Sequence, residues 1–272
     1  MQKLTPAWSS QFALEKVSPI AMVHPLDHLN WEQACGEGQG QGVKVAIIDS
    51  GVDATHPALL GPVNGYTTVI IEGETIRYEQ GPHEDSCGHG TACAGIIRSL
   101  APACEIYSVK VLGKGLIGRG SAFIAGVRWA IENNMDICNL SLGTTKREFF
   151  AGLHEVVDQA YFQHIPLVTA ANNMPIPSFP SMYSSVISVA AHHEDDPLRF
   201  YYNPHPPMEF GARGINVPVP WLYQSWSTVT GNSFAAPHIT GICAKILAEH
   251  PHLPLFHLKT MLRALAANIS TP

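Results

Sequence analysis

From Val43 onward, short apolar runs alternate with longer segments of helical period, and this alternation most constrains the fold. Several of the runs are β-branched and flanked by Gly, Pro or Asn: Val43–Ile48, Cys104–Leu112, Asp136–Leu142, Pro166–Ala171 and Val186–Ala191. Runs of this length and composition predict buried strands. Strands separated by helical segments are typical of a mostly parallel sheet with helices on both faces. We therefore expect an α/β fold.

Three segments predict amphipathic helices. Apolar residues recur at helical spacing at Phe123, Val127, Ala130 and Ile131, and again at Leu258, Met261, Leu262 and Leu265. A further helix is expected to begin at Ser233, with Pro237 in its first turn, where a missing N–H costs little. The segments 57–87 and 195–220 lack a sustained period, so we expect long loops or surface hairpins there.

The chain length favours one domain. A chain of 272 residues with 46% hydrophobic content can fill one large core. Residues 1–30 carry three prolines and only two weak apolar clusters. We expect them to be an N-terminal extension, and residues 31–272 to form the domain.

Composition narrows the partners and the compartment. The net charge is −6 with scattered Lys and Arg, so nucleic acid is not an expected partner. No apolar run reaches the roughly 18–20 residues of a membrane span, and the first residues lack the pattern of a secretory signal. The six cysteines are sparse and unpatterned, which favours reduced thiols. We therefore expect no membrane partner and cytoplasmic residence; the sequence gives no oligomeric state.

Three segments place a carboxylate, an imidazole and a hydroxyl where chemistry could occur. Asp49 ends an apolar strand, His89 lies between two glycines at the start of a helical segment, and Ser233 begins another helix. Each has an ordinary alternative: a strand-ending turn, a loop histidine and an N-cap serine. Together they follow one another in the order Asp, His, Ser at intervals of 40 and 144 residues, which favours a single site.

These segments resemble the three signature blocks of the subtilase (subtilisin-like, S8) family. The order Asp, His, Ser is also the order found in this family. The likeness extends over roughly residues 41–268. It implies that residues 31–272 are a subtilase catalytic domain and that residues 1–30 are a short inhibitory arm or have no such role. Four connecting segments also resemble the family in the expected order: Lys110–Gly113, Trp129–Asn134, Asn139–Gly143 and Val168–Asn173.

The resemblance implies a role for each residue of the site. Ser233 would be the nucleophile, His89 its general base, and Asp49 the carboxylate that orients the base and stabilises its charged form. The side-chain amide of Asn173 and the backbone N–H of Ser233 would donate hydrogen bonds to the oxyanion of the tetrahedral intermediate. Serine hydroxyls need such an arrangement because they are poor nucleophiles at neutral pH.

The resemblance also assigns substrate-binding residues. Two stretches would be extended edges that pair with the substrate backbone: Leu116, Ile117 and Gly118, and Ser141, Leu142 and Gly143. The apolar residues among them, together with Met174, favour apolar substrate side chains near the cleaved bond. For Leu142 and Met174, ordinary core packing is an equal alternative.

Several positions depart from the family pattern. Asn172 stands where the family has Gly, and we expect it to matter if the turn needs a positive φ. Asn232 and Phe234 flank Ser233 in place of Thr and Met. Cys93, one helical turn after His89, is expected to be a buried packing thiol.

We therefore expect a serine endopeptidase that hydrolyses peptide bonds through an acyl-enzyme on Ser233, with a peptide, a protein or a precursor as its substrate. No catalytic cofactor is expected and no metal ligand is assigned; structural calcium is common in the family, but no residue pattern places it here. One alternative is a peptide ligase or macrocyclase using the same acyl-enzyme. Another is an inert binding module with the same fold.

Overall fold

A computed structural model describes residues 29–205 and 207–269, in which one nine-stranded sheet forms the centre. Its strands follow the order β3-β2-β4-β1-β5-β6-β7-β9-β8. Two further strands, β10 and β11, form a separate hairpin. The bounds are β1 Lys44–Asp49, β2 Val63–Glu72, β3 Thr75–Gln80, β4 Glu105–Lys110, β5 Ile137–Leu140, β6 Leu167–Ala170, β7 Ile187–His192, β8 Tyr201–Tyr202, β9 Phe210–Arg213, β10 Val217–Trp221 and β11 Ser225–Val229.

The sheet is mostly parallel. Neighbouring strands from β2 through β9 pair in parallel, and only the edge strands β3 and β8 are antiparallel to their neighbours. All five apolar runs in the sequence form strands of this sheet. The predicted α/β fold is therefore confirmed.

Helices cover both faces of the sheet. Their bounds are α1 Trp31–Cys35, α2 His89–Leu100, α3 Gly120–Glu132, α4 Phe150–Phe162, α5 Asn232–Glu249 and α6 Leu255–Leu265. Alternate residues of β1 point to opposite faces: Val45 and Ile47 join the core beneath α2 and α5, whereas Ala46 and Ile48 join the core beneath α3 and α4. The central strand is thus buried on both sides, as expected for a parallel sheet.

The helices α2 and α5 pack closely because glycine leaves room at their contact. A Cβ on Gly241 would lie 2.9 Å from Leu100 Cβ and 3.4 Å from the Ile97 carbonyl oxygen. This contact fixes the relative position of the two helices. His89 is the first residue of α2, and Ser233 is the second residue of α5.

The structure corrects three expectations. The region 57–87 contains a hairpin, as predicted, but its strand β2 also extends the main sheet. The region 195–220 contributes β9, which the sequence did not indicate because only four residues pair and one of them is Gly211. The helix α5 begins at Asn232, so Pro237 lies in its second turn and not its first.

The predicted extension 1–30 lies almost entirely outside the described residues, since the description begins at Leu29. Leu29 packs against the core around α5. The boundary between an extension and a domain at residues 30 and 31 stays a prediction. None of the helices in the described part of the chain is long and apolar enough to cross a membrane.

Candidate active site

The strand order places Asp49 where a site is expected in an open α/β sheet. The strand β1 lies between β4 and β5, so the chain leaves it toward one side of the sheet and later returns on the other. Such a reversal opens a crevice at the carboxyl ends of the strands. Asp49 is the last residue of β1 and is fully buried at this point.

Asp49 holds the imidazole of His89. The Nδ1 atom of His89 lies 2.9 Å from both carboxylate oxygens of Asp49. Because a carboxylate only accepts, Nδ1–H donates, and the neutral ring keeps its lone pair on Nε2. The backbone N–H of Ser50 donates to Asp49 Oδ1 at 2.7 Å and fixes the carboxylate in turn.

A second carboxylate, Asp85, fixes the start of α2. Its Oδ1 accepts from the N–H groups of Cys87 and Gly88 at 3.0 and 2.9 Å, and its Oδ2 accepts from the Thr91 N–H at 2.9 Å. It therefore caps α2, whose first residue is His89. No role was predicted for Asp85 from the sequence; an acidic residue just before an expected helix start is the signal that indicates one.

Glycine at position 90 allows the backbone to pass close beneath His89. A Cβ there would lie 2.0 Å from the carbonyl oxygen of Gly51, which follows Asp49 by two residues. No L side chain fits at that distance. The short approach brings the end of β1 and the start of α2 together, and so brings Asp49 to His89.

The side chain of Ser141 hydrogen-bonds to the backbone of Ser233. In a helix, the N–H of residue 237 would donate to the carbonyl of residue 233, but Pro237 has no N–H. The Ser141 hydroxyl donates to that carbonyl instead, at 2.7 Å. Ser141 accepts in turn from the Asn139 amide at 3.0 Å. The pairing of Ser141 with the substrate backbone stays a prediction; in addition, its side chain supports the helix that carries Ser233.

Cys93 lies beneath Asp49, Ser141 and Ser233. Its Sγ is 3.5 Å from Ser141 Oγ, 3.7 Å from the Ser233 carbonyl oxygen and 4.0 Å from Asp49 Oδ2. Burial, with the nearby charge of Asp49, raises the pKa of this thiol well above its usual value. The structure thus places Cys93 as a buried, protonated thiol.

The side chains of His89, Asn173 and Ser233 line one cleft of about 200 Å³. A Cβ on Gly231 would lie 3.4 Å from both Asn173 Nδ2 and Ser233 Oγ, so the amide and the hydroxyl flank this glycine. The Asn173 Oδ1 atom accepts from the Asn232 N–H at 2.8 Å. This bond orients the amide and leaves its N–H group free to donate.

Asn232 ties the loop of Asn173 to the start of α5. Its side-chain amide donates to the carbonyls of Ala171 and Asn172 at 3.3 and 3.0 Å, and its Oδ1 accepts from the Ala191 N–H at 2.8 Å. The departure from the family's Thr therefore adds contacts to the site. Asn172 does not have a positive φ, so a residue other than Gly is accommodated there.

Burial and charge act in opposite directions on His89. Burial, the largest influence, lowers the pKa of the imidazole, whereas the charge and hydrogen bond of Asp49 and the charge of Asp85 raise it. The net result is a raised pKa. The ring of Phe234 lies against the imidazole with centroids 5.2 Å apart and contributes to its burial. A base with a raised pKa accepts a proton readily.

The predicted substrate edges are only partly extended. Leu116 has a φ of 59° and ends a short 3-10 turn, so the prediction is wrong at this residue. Ile117 is extended and 76% exposed, whereas Leu142 packs against the core and Met174 is exposed. Leu116, Ser141, Leu142 and Gly143 line the cleft. Four of the six expected substrate contacts therefore face the same space as Ser233.

A calcium site does not fit the candidate metal ligands. Among the described residues, one group could hold an ion: Asp49, His89 and Cys93, whose ligand atoms lie within 4.8 Å of one another. Calcium takes six to eight oxygen ligands, whereas this group offers a carboxylate, an imidazole and a thiol. The same atoms already make the hydrogen bonds described above.

A buried carboxylate, an imidazole and a serine at a helix start, meeting at the carboxyl edge of a parallel sheet, are the arrangement of a serine hydrolase. The family description "Subtilase family" matches residues 40–270. The chain belongs to this family, and it is a serine protease hydrolase with endopeptidase activity.

Three relatives illustrate the similarity. The chain is 32% identical over 260 residues to the minor extracellular protease Epr of Bacillus subtilis (strain 168), covering 90% of the chain but 38% of that protein. It is 30% identical to subtilisin DY of Bacillus licheniformis, covering 90% of each. The solved structure of Sphericase superposes with a TM-score of 0.70 at 25% identity, covering 83% of each chain.

The expectation of cytoplasmic residence is wrong. A relative that matches 90% of the chain is an extracellular protease. All six thiols are free, and five of them are buried, so burial accounts for the unpaired state of those five. Thiols that are inaccessible do not report the redox state of a compartment.

Proposed function

We propose that the chain hydrolyses peptide bonds through an acyl-enzyme on Ser233, with His89 as general base and Asp49 as the carboxylate that orients it. The observation that carries the proposal is the 2.9 Å contact of His89 Nδ1 with Asp49, beside a cleft that Ser233 and Asn173 also line. The natural substrate is a peptide or protein, and precursor processing fits this chemistry.

The reaction takes place in two halves. The Ser233 Oγ attacks the carbonyl carbon of the substrate while His89 Nε2 takes the hydroxyl proton. The tetrahedral intermediate then loses the amine, which receives that proton from His89 as the C–N bond breaks. Water then attacks the acyl-enzyme ester while His89 takes a proton from this water. Loss of the Ser233 oxygen, which receives that proton, releases the acid and restores the serine hydroxyl. No cofactor is needed for either half.

Asn173 and the start of α5 stabilise the oxyanion. The Asn173 amide is oriented by Asn232, and the backbone N–H of Ser233 lies in the first turn of α5, where helical N–H groups have no partner within the helix. Donors fixed before the reaction stabilise charge that develops in the transition state without reorganisation.

Exposed apolar residues support a preference for apolar side chains near the cleaved bond. Leu116 lines the cleft at 44% exposure, and the neighbouring Ile117 and Met174 are 76% and 62% exposed. Exposed apolar groups of this size around a cleft favour binding of an apolar substrate side chain that removes them from water.

Covalent labelling tests the proposal. The purified protein is treated with a fluorophosphonate, and the adduct is located by peptide mass spectrometry. We expect one equivalent of label on Ser233, no label in Ser233→Ala, and strongly slowed labelling in His89→Ala. Ser178→Ala is the matched control, because Ser178 lines the same cleft and has no role in the reaction. A folded protein that is neither labelled nor able to cleave casein would overturn the proposal.

A further inference from the structure

A second cavity opens beside the cleft of Ser233. It has a volume of about 270 Å³ and shares the wall formed by Leu116 and Ser141–Gly143 with that cleft. A peptide bound across Ser233 that continues along Ser141–Gly143 therefore brings one of its side chains to the second cavity. The residues that line this cavity determine which substrate side chain it accepts.

Two cations lie at the rim of this cavity. Arg119 and Lys146 both line it, and both are exposed. Neither takes part in any ion pair formed within residues 29–205 and 207–269. Lys114 and Arg147, which are close in sequence to the lining residues, add positive charge. The segments that supply the cavity lining, residues 106–131 and 137–150, contain one carboxylate, Glu148. The cavity is thus positive in a chain whose net charge is −6.

The first turn of α3 adds to this field. Gly120, the first residue of α3, lies in the cavity wall, and no side chain caps the N-terminus of this helix. Unpaired N–H groups at a helix start carry partial positive charge. This contribution has the same sign as that of Arg119, which directly precedes the helix.

The inner wall of the cavity is apolar. Leu112 and Phe123 are buried and line it together with Phe149. The ring of Phe149 covers Gly120 so closely that a Cβ on this glycine would lie 2.4 Å from the ring. The cavity therefore suits a side chain with an apolar stem and an anionic end.

We propose that this cavity selects substrates with an acidic residue, glutamate in particular, on the side of the cleaved bond where the peptide runs along Ser141–Gly143. The inference rests on the proposed function and specifies its substrates. Arg119 and Lys146 act as specificity residues, whereas the groups around Ser233 carry out the reaction. The preference is additional to the apolar preference near the cleaved bond.

Paired peptides test this inference. A set of quenched fluorescent peptides carries a single Glu at each of the six positions before the cleaved bond in turn, and each has a partner with Gln at that position. We expect kcat/KM to be about 5-fold higher for Glu at one position, the size that two exposed charge pairs of ordinary strength would give. The preference should shrink as salt is raised, because exposed charges are screened.

Variants locate the source of the preference. In Arg119→Gln/Lys146→Gln, the Glu and Gln peptides should be cleaved at equal rates. Arg128→Gln is the control: it removes one positive charge from α3, the helix that Arg119 directly precedes, but Arg128 does not line the cavity. It should retain the preference.

The outcomes separate this inference from the proposed function. Cleavage of all peptides without a Glu preference, or a preference that survives in the double variant, overturns the inference and leaves the function standing. Binding of the same peptides to Ser233→Ala gives a readout that does not need turnover. Equal affinity of this variant for the Glu and Gln peptides would likewise overturn the inference.

Discussion

The hydroxyl of Ser141 donates a 2.7 Å hydrogen bond to the carbonyl oxygen of Ser233, the carbonyl that Pro237 leaves without a helical donor. The bond joins the end of one central strand to the helix that carries the proposed nucleophile. It explains how α5 accommodates a proline in its second turn, since the unsatisfied carbonyl finds a donor outside the helix.

Removing the Ser141 hydroxyl should therefore destabilise the protein. We expect Ser141→Ala to lower the free energy of unfolding by about 1–3 kcal/mol, because a buried carbonyl loses its main donor. Adding Pro237→Ala should recover part of the loss, because alanine supplies the helical N–H. Urea denaturation in a Ser233→Ala background, which prevents self-cleavage, measures both. Ser99→Ala is a control, because the Ser99 hydroxyl also donates to a carbonyl but belongs to an exposed residue. Additive effects of Ser141→Ala and Pro237→Ala on the free energy of unfolding would contradict the interpretation.

The amide of Asn173 should contribute to the rate and not to binding. We expect Asn173→Ala to lower kcat by about 10²–10³-fold with little change in KM, because the N–H group of the amide donates to charge that develops only in the transition state. Steady-state kinetics on an apolar peptide provides the measurement. Asn172→Ala is the neighbouring control, since the Asn172 side chain accepts from the Met174 N–H within the loop. A rise in KM with unchanged kcat would instead place Asn173 in ground-state binding.

The acidic limb of the pH profile should depend on Asp85. Only neutral His89 can act as a base, so activity is lost as pH falls through the pKa of His89, which lies above the usual value of 6.5. The negative charge of Asp85 contributes to that raised pKa. We therefore expect Asp85→Asn to move the acidic limb of kcat/KM to lower pH. Asp53→Asn, which removes a charge that does not act on His89, should leave it in place; an unmoved limb in a folded Asp85→Asn would count against this assignment.

Buried His238 should make the fold less stable in mild acid. It is 2% exposed, and burial lowers its pKa to about 4, whereas an unfolded histidine titrates near 6.5. Between these values the unfolded chain binds the proton and the folded one does not, so stability falls as pH drops from 6.5 to 4.

The loss is about 2 kcal/mol at pH 5. We expect His238→Gln to reduce the difference in the free energy of unfolding between pH 7 and pH 5 by this amount. The difference will not vanish, because burial also lowers the pKa of His83 to about 4. Denaturant titrations of Ser233→Ala and Ser233→Ala/His238→Gln at the two pH values give the comparison, and equal slopes with pH would refute the assignment.

The sheet could be predicted because parallel strands are buried on both faces and read as continuous apolar runs. Each of the five runs from Val43 to Ala191 became a strand of the sheet. The strand β9 was not predicted, since four residues held by neighbouring strands need no apolar run of their own. Tertiary pairing, and not local sequence, determines such a strand.

The candidate site could be located but not completed. Asp49, His89 and Ser233 carry recognisable local sequence, and the structure brings the first two into contact and the third to the same cleft. The supporting groups Ser141 and Asn232 act through bonds across the fold, to residues 92 and 41 positions away. No local pattern encodes such distant pairs, so their roles required the structure.

The order of strands in the sheet has a consequence for a protein that cleaves proteins. Asp49 belongs to β1 and Ser233 to α5, at opposite ends of the described sheet in chain order. The contacts that assemble the site, such as Asp49 with His89 and Ser141 with Ser233, are non-local, and folds rich in such contacts form slowly. The site is assembled only when the chain from residue 49 to residue 233 has folded. In a molecule able to cleave proteins, that stretch is therefore protected from cleavage by other copies, and the lifetime of the molecule depends on how rarely it opens.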